Sequence, residues 1–337
     1  GRLWHTSNLY RVPGQETLAG KLVANSFADT CFFVNSGTEA IELAIKMARR
    51  HHFAGGHPER FHIITFEGAF HGRTYAAINA GGNEKYLEGF GPRMPGFIQL
   101  AAGELNAVKQ AIGPETAAIL IEPMQGESGV RMFAPDFLKG LRKLCDEHGL
   151  LLIFDEIQTG LGRTGKFFAH DWFDAAPDIM TVAKALGGGF PVGAVLATAE
   201  AAKGMTVGTH GTTYGGNPLA MAVGNEAIDM ILEPGFLDHV NKVANYLHQQ
   251  LGALIAAHPD VFESVRGQGL MVGLKMKTDA GAFIALARAN GLIVLPAGDN
   301  VVRMLPPLTL SEAEAREGID LLNKTASQTG AQKAAAQ

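Results

Sequence analysis

The chain has 337 residues, of which 47% are hydrophobic and 18% are charged, and its formal net charge is -5. Acidic and basic residues are mixed along the chain, so it lacks the basic stripe that nucleic-acid binding requires. No apolar run in the sequence is long enough to cross a bilayer. The composition therefore indicates a globular protein with enough residues for two domains and large buried cores.

In chain order, apolar runs of strand length alternate with segments of helical periodicity. Strands are predicted at Cys31–Val34, Phe61–Phe66, Phe97–Leu100, Ala117–Ile121 and Leu150–Phe154. Helices are predicted over Glu39–Arg50 and Pro135–His148, the second with proline near its start and Gly149 at its end. This alternation indicates an α/β fold in which a mostly parallel sheet has helices on both faces.

The pattern changes after Asn217. Two long helices are predicted at residues 217–232 and 236–257. Short strands are predicted near residues 261–275, 292–295 and 301–304, and further helices at about residues 280–290 and 311–326. We therefore predict a large domain over residues 1–232, a smaller C-terminal α+β domain over residues 233–328, and a frayed tail over residues 329–337.

The cysteines and histidines show no metal-binding pattern. Cys31 and Cys145 belong to no CxxC pair, and the 12 histidines lack the spacing of zinc ligands, so we expect no metal site. Two free cysteines are typical of a reducing compartment, and we expect the cytoplasm. The chain begins at Gly1 without a methionine, so a targeting segment could precede it.

Lys184 is the most informative single residue. It lies in the segment AKALGGGF at residues 183–190, where apolar and small neighbours favour a buried amine of lowered pKa over the usual solvated lysine. A neutral lysine can form a Schiff base with a carbonyl. The strand at Leu150–Phe154 leads into Asp155, a carboxylate suited to a protonated pyridine nitrogen. Pyridoxal phosphate needs both groups, and Gln158 could bind its ring hydroxyl.

Asn35–Thr38 lies between a predicted strand and a predicted helix. Hydroxyl and backbone N–H groups at a helix N-terminus can hold a phosphate. Serine and threonine are also common as helix caps, so the loop alone would favour a cap. The presence of Lys184 elsewhere in the chain makes a phosphate site the favoured interpretation of this loop.

The loop Glu67–Thr74 follows another predicted strand. Phe70 could stack on a flat cofactor ring, and Arg73 could bind a carboxylate through two hydrogen bonds. Taken singly, a phenylalanine is more often a core residue, and an arginine is more often solvated.

The segment Gly160–Gly165 matches the G-x-G-x-x-G pattern of dinucleotide-binding proteins. That pattern must follow a strand directly and open a helix, whereas here Glu156–Thr159 intervene and a poor helix follows. A P-loop would need serine or threonine after Lys166, and the chain has Phe167. A nucleotide-dependent oxidoreductase is therefore a remote alternative.

With these residues in view, the chain resembles the class III, ornithine-type, PLP-dependent aminotransferases from about Leu3 to Leu322. The similarity is carried by seven motifs, namely NSGTEA at 35–40, AFHGRT at 69–74, EPMQGESG at 122–129, FDEIQTGLGRTG at 154–165, AKALGGGFPVG at 183–193, HGTTYGGNP at 210–218 and RMLPPL at 303–308. The resemblance implies the PLP-dependent transferase fold of type I. Relative to the family, the chain lacks an N-terminal segment that normally lines the substrate entrance.

The resemblance also implies roles for individual residues. Lys184 and Asp155 would be catalytic, as the lysine bound to the cofactor aldehyde and the partner of its ring nitrogen. The cofactor-binding set would be Ser36, Gly37, Thr38, Phe70, His71, Asp155, Gln158, Lys184 and Thr213, with Thr213 reaching the phosphate of a neighbouring subunit. The substrate-binding set would be Arg73, Glu127, Thr212 and Arg303. A homodimer with shared active sites follows from the role of Thr213.

The resemblance also implies a reaction, the transfer of the terminal amine of N-acetylornithine to 2-oxoglutarate. In this hypothesis Arg73 binds the distal carboxylate of either substrate, Arg303 binds the second carboxylate of glutamate, and Glu127 covers Arg303 when the other donor is bound. Succinylornithine, ornithine or 4-aminobutyrate are alternative donors. An aminomutase and a non-catalytic binding protein of the same fold are further alternatives.

Overall fold

The structure is a computed structural model that describes residues 3–336, with side-chain surroundings for residues 3–331. The strands are β1 Thr30–Val34, β2 His62–Phe66, β3 Phe97–Leu100, β4 Thr116–Ile121, β5 Met124–Gln125, β6 Arg131–Met132, β7 Leu151–Asp155, β8 Ile179–Val182, β9 Gly193–Ala197, β10 Phe262–Gln268, β11 Met271–Met276, β12 Leu295–Ala297 and β13 Val301–Met304. The helices are α1 Pro13–Ala24, α2 Gly37–Ala54, α3 Tyr75–Gly81, α4 Glu84–Leu87, α5 Leu105–Ala111, α6 Pro135–His148, α7 Ala199–Ala202, α8 Pro218–Leu232, α9 Phe236–Ala257, α10 Ala280–Ala289 and α11 Glu312–Ala336.

The chain divides into two compact units. The first unit consists of residues 1–123, 133–161 and 167–233, and the second of residues 124–132, 162–166 and 234–337. The sequence placed a single domain boundary after residue 232. The structure shows a division close to that residue and also assigns two short internal segments, Met124–Met132 and Gly162–Lys166, to the second unit. Local patterns could not indicate this assignment, because it depends on contacts between residues far apart in sequence.

The first unit contains a seven-stranded sheet with the order β1-β9-β8-β7-β4-β2-β3. Strands β3, β2, β4, β7 and β8 pair in parallel, whereas β9 is antiparallel to both β8 and β1. The sheet is therefore mostly parallel, as the sequence predicted. Since β1 runs in the same direction as the five parallel strands, the carboxyl ends of these six strands lie along one edge.

Helices cover both faces of this sheet. Side chains on a strand alternate between faces, and Ile63 belongs to a buried cluster with α2 while its neighbour Ile64 belongs to a cluster with α6. Helix α6 begins with Pro135, whose fixed backbone suits a first helical turn, and ends at Gly149, which has a φ of 61°. The parallel strands are buried on both sides, which explains their continuous apolar sequences.

The second unit has an antiparallel sheet with the order β10-β11-β13-β12 and a core that includes residues of α9, α10 and α11. This matches the α+β architecture expected from the sequence. The region predicted to fray from residue 329 continues α11 as far as Ala336, because alanine, lysine and glutamine are strong helix formers. Over the described residues, no helix is long and apolar enough to cross a membrane.

Candidate active site

A cavity of 470 Å³ lies in the first unit where the carboxyl ends of its strands meet. Its lining comprises Asn35, Ser36, Gly37, Thr38, Phe70, His71, Gly72, Arg73, Glu122, Asp155, Ile157, Gln158, Ala183, Lys184, Gly189, Phe190, Pro191 and Val192. These residues come from the segments that follow β1, β2, β4, β7 and β8, the place where open α/β sheets bind ligands. The fold thus brings together segments that are far apart in sequence.

One side of the cavity is the N-terminus of α2. Ser36 is the N-cap, and its hydroxyl accepts a hydrogen bond from the backbone N–H of Glu39. The cap that the sequence offered as the alternative to a phosphate site is therefore real. The cap does not exclude a phosphate site, because the first N–H groups of a helix have no intrahelical acceptor and attract anions. Gly37 and Thr38 supply these groups at the cavity wall.

Thr38 is held against the neighbouring loop. Its hydroxyl lies 2.9 Å from that of Thr74, and the Thr74 hydroxyl donates to Glu42 at 2.5 Å. Gly72 makes this close approach possible, since a Cβ at this position would lie 2.3 Å from Oγ1 of Thr38. Its φ of 117° also favours glycine. The two loops are thereby fixed beside the helix N-terminus.

Asp155 ends β7 and is 4% exposed. One carboxylate oxygen accepts a hydrogen bond from Nδ1 of His71 at 2.8 Å. The other accepts from the backbone N–H of Ile157 at 3.1 Å and from the Thr181 hydroxyl at 3.3 Å. Nε2 of His71 is buried without a hydrogen-bond partner among the side chains that the structure describes. The Asp155 carboxylate is thus firmly oriented at the cavity.

Lys184 follows β8 and lines the cavity, but its side chain is exposed rather than buried. The expectation of a buried amine was wrong, because the flanking residues Ala183 and Leu186 take the buried positions while the lysine faces the open cavity. Its backbone has a φ of 39°, a conformation that costs a non-glycine residue about 1–3 kcal/mol and clusters at functional sites.

Arg73 also lines the cavity and its guanidinium rests on aromatic rings. The guanidinium carbon lies 3.9 Å from the ring centroid of Tyr86 and 5.5 Å from that of Phe70. The Phe70 backbone N–H donates to the buried carboxylate of Glu122 at 3.0 Å. Glu122 was not singled out from the sequence, although it follows β4 directly, as Asp155 ends β7. That strand-end position was the signal available.

Four other predicted site residues do not line this cavity. Thr212 and Thr213 line a different cavity of the first unit, and the Thr212 hydroxyl lies 3.3 Å from the side-chain amide of Asn35. Glu127 belongs to the second unit, where its carboxylate forms an ion pair of 2.6 Å with Nη1 of Arg303. The pairing of Glu127 with Arg303 agrees with the expectation from the sequence.

The glycine-rich segment at residues 160–165 forms turns and not the start of a long helix. A Cβ on Gly165 would lie 2.1 Å from Oδ1 of Asn241, so glycine is needed there for packing. Arg163 donates to the carbonyl groups of Leu270 and Pro306, and burial lowers its pKa to about 10. The nucleotide interpretation is therefore unsupported, and within residues 3–331 no group of metal-ligating side chains occurs.

Comparison with known proteins identifies the family. A model of the family "Aminotransferase class-III" matches residues 1–326. The chain is 59% identical to the acetylornithine aminotransferase of Agrobacterium fabrum (strain C58 / ATCC 33970), over 99% of this chain and 84% of that protein. It is 57% identical to the acetylornithine aminotransferase of Rhodobacter capsulatus, over 99% of this chain and 85% of that protein. The chain belongs to the class-III aminotransferases.

Solved structures agree with this assignment. N-acetylornithine aminotransferase from Stenotrophomonas maltophilia K279a superimposes with a TM-score of 0.85 and 38% identity, covering 98% of this chain and 84% of that one. Ornithine aminotransferase from Toxoplasma gondii, in a structure with partial occupancy of PLP, gives a TM-score of 0.92 and 30% identity over 96% of this chain and 79% of that one. The protein is a pyridoxal-phosphate-dependent aminotransferase.

The residues at the cavity fit this cofactor. A phosphate needs the N–H groups that Gly37 and Thr38 present, and a pyridine nitrogen needs a fixed carboxylate such as that of Asp155. Phe70 supplies an aromatic face and Lys184 an amine at the same cavity. The chemistry of this donor set therefore matches the phosphate, ring and aldehyde of pyridoxal phosphate.

Proposed function

We propose that this aminotransferase transfers the terminal amine of N-acetylornithine to 2-oxoglutarate, giving N-acetylglutamate semialdehyde and glutamate, as a step of arginine biosynthesis. The observation that carries the proposal is the high identity, over almost the whole chain, to proteins named acetylornithine aminotransferase. Succinylornithine, ornithine and 4-aminobutyrate are the alternative donors within the same chemistry.

The assignment of the cofactor-binding residues is part of this proposal. Gly37, Thr38 and Ser36 bind the phosphate at the start of α2, and Phe70 packs against the ring. Asp155, oriented by His71, holds a proton on the ring nitrogen, and Gln158 binds the ring oxygen. When bound, pyridoxal phosphate supplies an electron sink that stabilises negative charge at the carbon bearing the reacting amine.

Lys184 has two proposed roles. Its amine would hold the cofactor at the aldehyde carbon, and a donor amine would take its place there. Once displaced, Nζ would take the proton from the carbon that bears the reacting amine and would give it to the former aldehyde carbon of the cofactor, acting first as base and then as acid. The open position of Lys184 at the cavity leaves room for both roles, and its strained backbone is consistent with a functional position.

The arginines account for the use of two substrates. Arg73 is proposed to bind the carboxylate that lies far from the reacting carbon in both N-acetylornithine and glutamate. Arg303 binds the second carboxylate of glutamate, adjacent to the reacting carbon. Its ion pair with Glu127 supports a switch in which Glu127 covers the cation whenever the donor has no second carboxylate there.

We further propose that the chain works as a homodimer in the cytoplasm. Thr213 is exposed and lines a cavity other than the one that contains Lys184, which suits a role at the phosphate of a second subunit. In the first unit, large apolar side chains with more than half of their surface exposed include Leu3, Trp4, Leu9, Tyr10 and Tyr214. His5 contacts the Tyr214 ring and Asn8 donates to the Thr212 carbonyl, so these N-terminal residues lie beside the Thr213 loop, and contiguous exposed apolar surface is typical of an interface with another chain.

The proposed donor is tested by following the cofactor absorbance of the purified holoenzyme during single half-reactions. N-acetylornithine should react with a higher second-order rate constant than succinylornithine, ornithine or 4-aminobutyrate, and 2-oxoglutarate should then restore the starting spectrum. A faster reaction with another of these amines would replace N-acetylornithine as the donor. Turnover of an amine that does not require 2-oxoglutarate would instead indicate an aminomutase.

A further inference from the structure

Tyr86 makes the closest aromatic contact of Arg73. The guanidinium carbon of Arg73 lies over the Tyr86 ring, 3.9 Å from its centroid. The rings of Tyr86 and Phe70 are 6.1 Å apart and nearly perpendicular, at 85°. Arg73 therefore lies against two ring faces, of which Phe70 lines the cavity and Tyr86 lies beyond it.

The charge of Arg73 has no carboxylate partner among the ion pairs of residues 3–331. Arg303 differs in this respect, because its guanidinium is paired with Glu127. A guanidinium donates hydrogen bonds only in its own plane, whereas an aromatic ring attracts the flat face of the guanidinium. Aromatic contacts can thus hold Arg73 in place while its N–H edge stays available for a substrate carboxylate.

The position of Tyr86 is itself defined by short-range structure. It belongs to the one-turn helix α4, whose N-cap Asn83 accepts a hydrogen bond from the backbone N–H of Lys85 at 3.1 Å. The next residue, Leu87, is buried, and Glu84 forms an ion pair with Arg93. The ring of Tyr86 therefore rests on an anchored segment.

We propose that Tyr86 is a specificity-determining residue that positions Arg73 for the carboxylate distant from the reacting amine. This inference rests on the proposed role of Arg73 in binding that carboxylate. A ring at residue 86 limits the rotamers of Arg73, so the side chain loses less freedom when it binds the carboxylate through two hydrogen bonds. The contribution concerns binding and not proton transfer, so it acts on KM and leaves kcat largely unchanged.

The test compares Tyr86→Leu, which removes the ring, with Tyr86→Phe, which keeps it. The expected result for Tyr86→Leu in the holoenzyme is an increase of about tenfold in KM for 2-oxoglutarate and for N-acetylornithine, with kcat within about threefold of wild type. Tyr86→Phe should restore the wild-type KM. Lys85→Ala, an exposed position on the same helix, controls for damage to α4.

A second comparison shows whether Tyr86 acts through Arg73. In an Arg73→Lys background, which keeps the charge but lacks the planar fork, adding Tyr86→Leu should change KM less than twofold, since interacting residues are not additive. A carboxylate-free amine such as n-pentylamine should react equally with wild type and Tyr86→Leu. Unchanged KM for 2-oxoglutarate in Tyr86→Leu, or full additivity with Arg73→Lys, would overturn the proposal.

The two proposals fail in different ways. If N-acetylornithine is a poor donor but Tyr86→Leu still raises KM for 2-oxoglutarate, the donor assignment is wrong and the role of Tyr86 stands. If N-acetylornithine is the preferred donor and Tyr86→Leu behaves as wild type, only the role of Tyr86 is wrong. If Arg73→Lys itself leaves KM for 2-oxoglutarate unchanged, then Arg73 does not bind the carboxylate and both roles are overturned.

Discussion

The buried carboxylate of Asp155 accepts a hydrogen bond from Nδ1 of the buried His71 at 2.8 Å. The two residues are 84 positions apart in sequence and meet because β2 and β7 end at the same edge of the sheet. The contact fixes the orientation of the only carboxylate that we assign to the cofactor ring nitrogen.

Replacing Asp155 with asparagine should reduce kcat/KM by about 10²–10³-fold, the range observed when one preorganised electrostatic contact is removed. Asparagine has nearly the same shape, so the fold and the covalent attachment at Lys184 should be kept. Single-turnover kinetics and the cofactor spectrum together measure this. Activity within threefold of wild type would mean that Asp155 does not hold the ring nitrogen.

Replacing His71 with leucine should have a smaller effect, because His71 acts through Asp155. Loss of one hydrogen bond to a buried carboxylate costs about 1–3 kcal/mol, which corresponds to about 5–150-fold in activity. The pH profile of kcat should also shift, whereas a purely structural defect would leave its shape unchanged. His71→Asn keeps a donor near the position of Nδ1 and should recover part of the loss. Equal profiles for wild type and both variants would count against this role.

Removal of the Glu127 carboxylate by Glu127→Ala should favour the glutamate half-reaction over the N-acetylornithine half-reaction. The pair with Arg303 is 2.6 Å long, and breaking one charged hydrogen bond is worth about 1.5–3 kcal/mol, or about 10–150-fold in the ratio of rates. Glu127→Gln, which keeps the shape without the charge, should give an intermediate ratio. An unchanged ratio in both variants would contradict the switch.

The glycine at position 72 should be required for cofactor binding. In Gly72→Ala the new Cβ would lie 2.3 Å from Oγ1 of Thr38 and the φ of 117° would be strained. Gly91→Ala is the matched control, since Gly91 has a φ of 83° but has no atom within 4 Å of the added Cβ. Both variants should lose about 1–3 kcal/mol of stability from strain, but only Gly72→Ala should bind pyridoxal phosphate more weakly. Equal cofactor affinities would show that the Thr38 contact is unimportant.

His170 should make the stability of the protein depend on pH. Burial opposes protonation of its ring, but the hydrogen bond and charge of Glu156, 2.9 Å away, together with the charge of Asp171, raise its pKa overall. The unfolded chain therefore loses this proton at a lower pH than the folded chain does. The stabilising contribution is complete below the ordinary pKa of 6.5 and is lost as pH rises through the raised value.

The measurement is denaturant unfolding of wild type and His170→Gln across this pH range. The difference in unfolding free energy between them should be largest at acidic pH and should shrink as pH rises. A difference that is constant with pH would mean that the pKa of His170 is not raised in the folded chain relative to the unfolded chain.

Much of the site could be predicted from the sequence, because its parts are short motifs at strand ends. The sequence predicted that the loop at residues 35–38, the loop at residues 67–74 and the pair Asp155 and Lys184 form one site, and residues of all of these segments line one cavity. These motifs carry their own geometry: a capped helix start, a loop with a positive-φ glycine, and a strand that ends in a carboxylate.

Other features could not be predicted, because they depend on contacts between distant residues. The exposure of Lys184 depends on which neighbours fill the core, and its apolar flanks suggested the opposite. Strand β9, Gly193–Ala197, is rich in small residues and lies antiparallel between two other strands, which no local pattern indicated. The contact between Tyr86 of α4 and Arg73 in the loop before α3 has no sequence signature.

Attachment of the cofactor to Lys184 is the claim on which the whole account depends. The most direct measurement is reduction of the pyridoxal-phosphate-loaded protein with borohydride, followed by peptide mass spectrometry. The account predicts a single stable adduct on the peptide that contains Lys184, and its disappearance when N-acetylornithine is added before the reductant. An adduct on another lysine, or none at saturating cofactor, would contradict it.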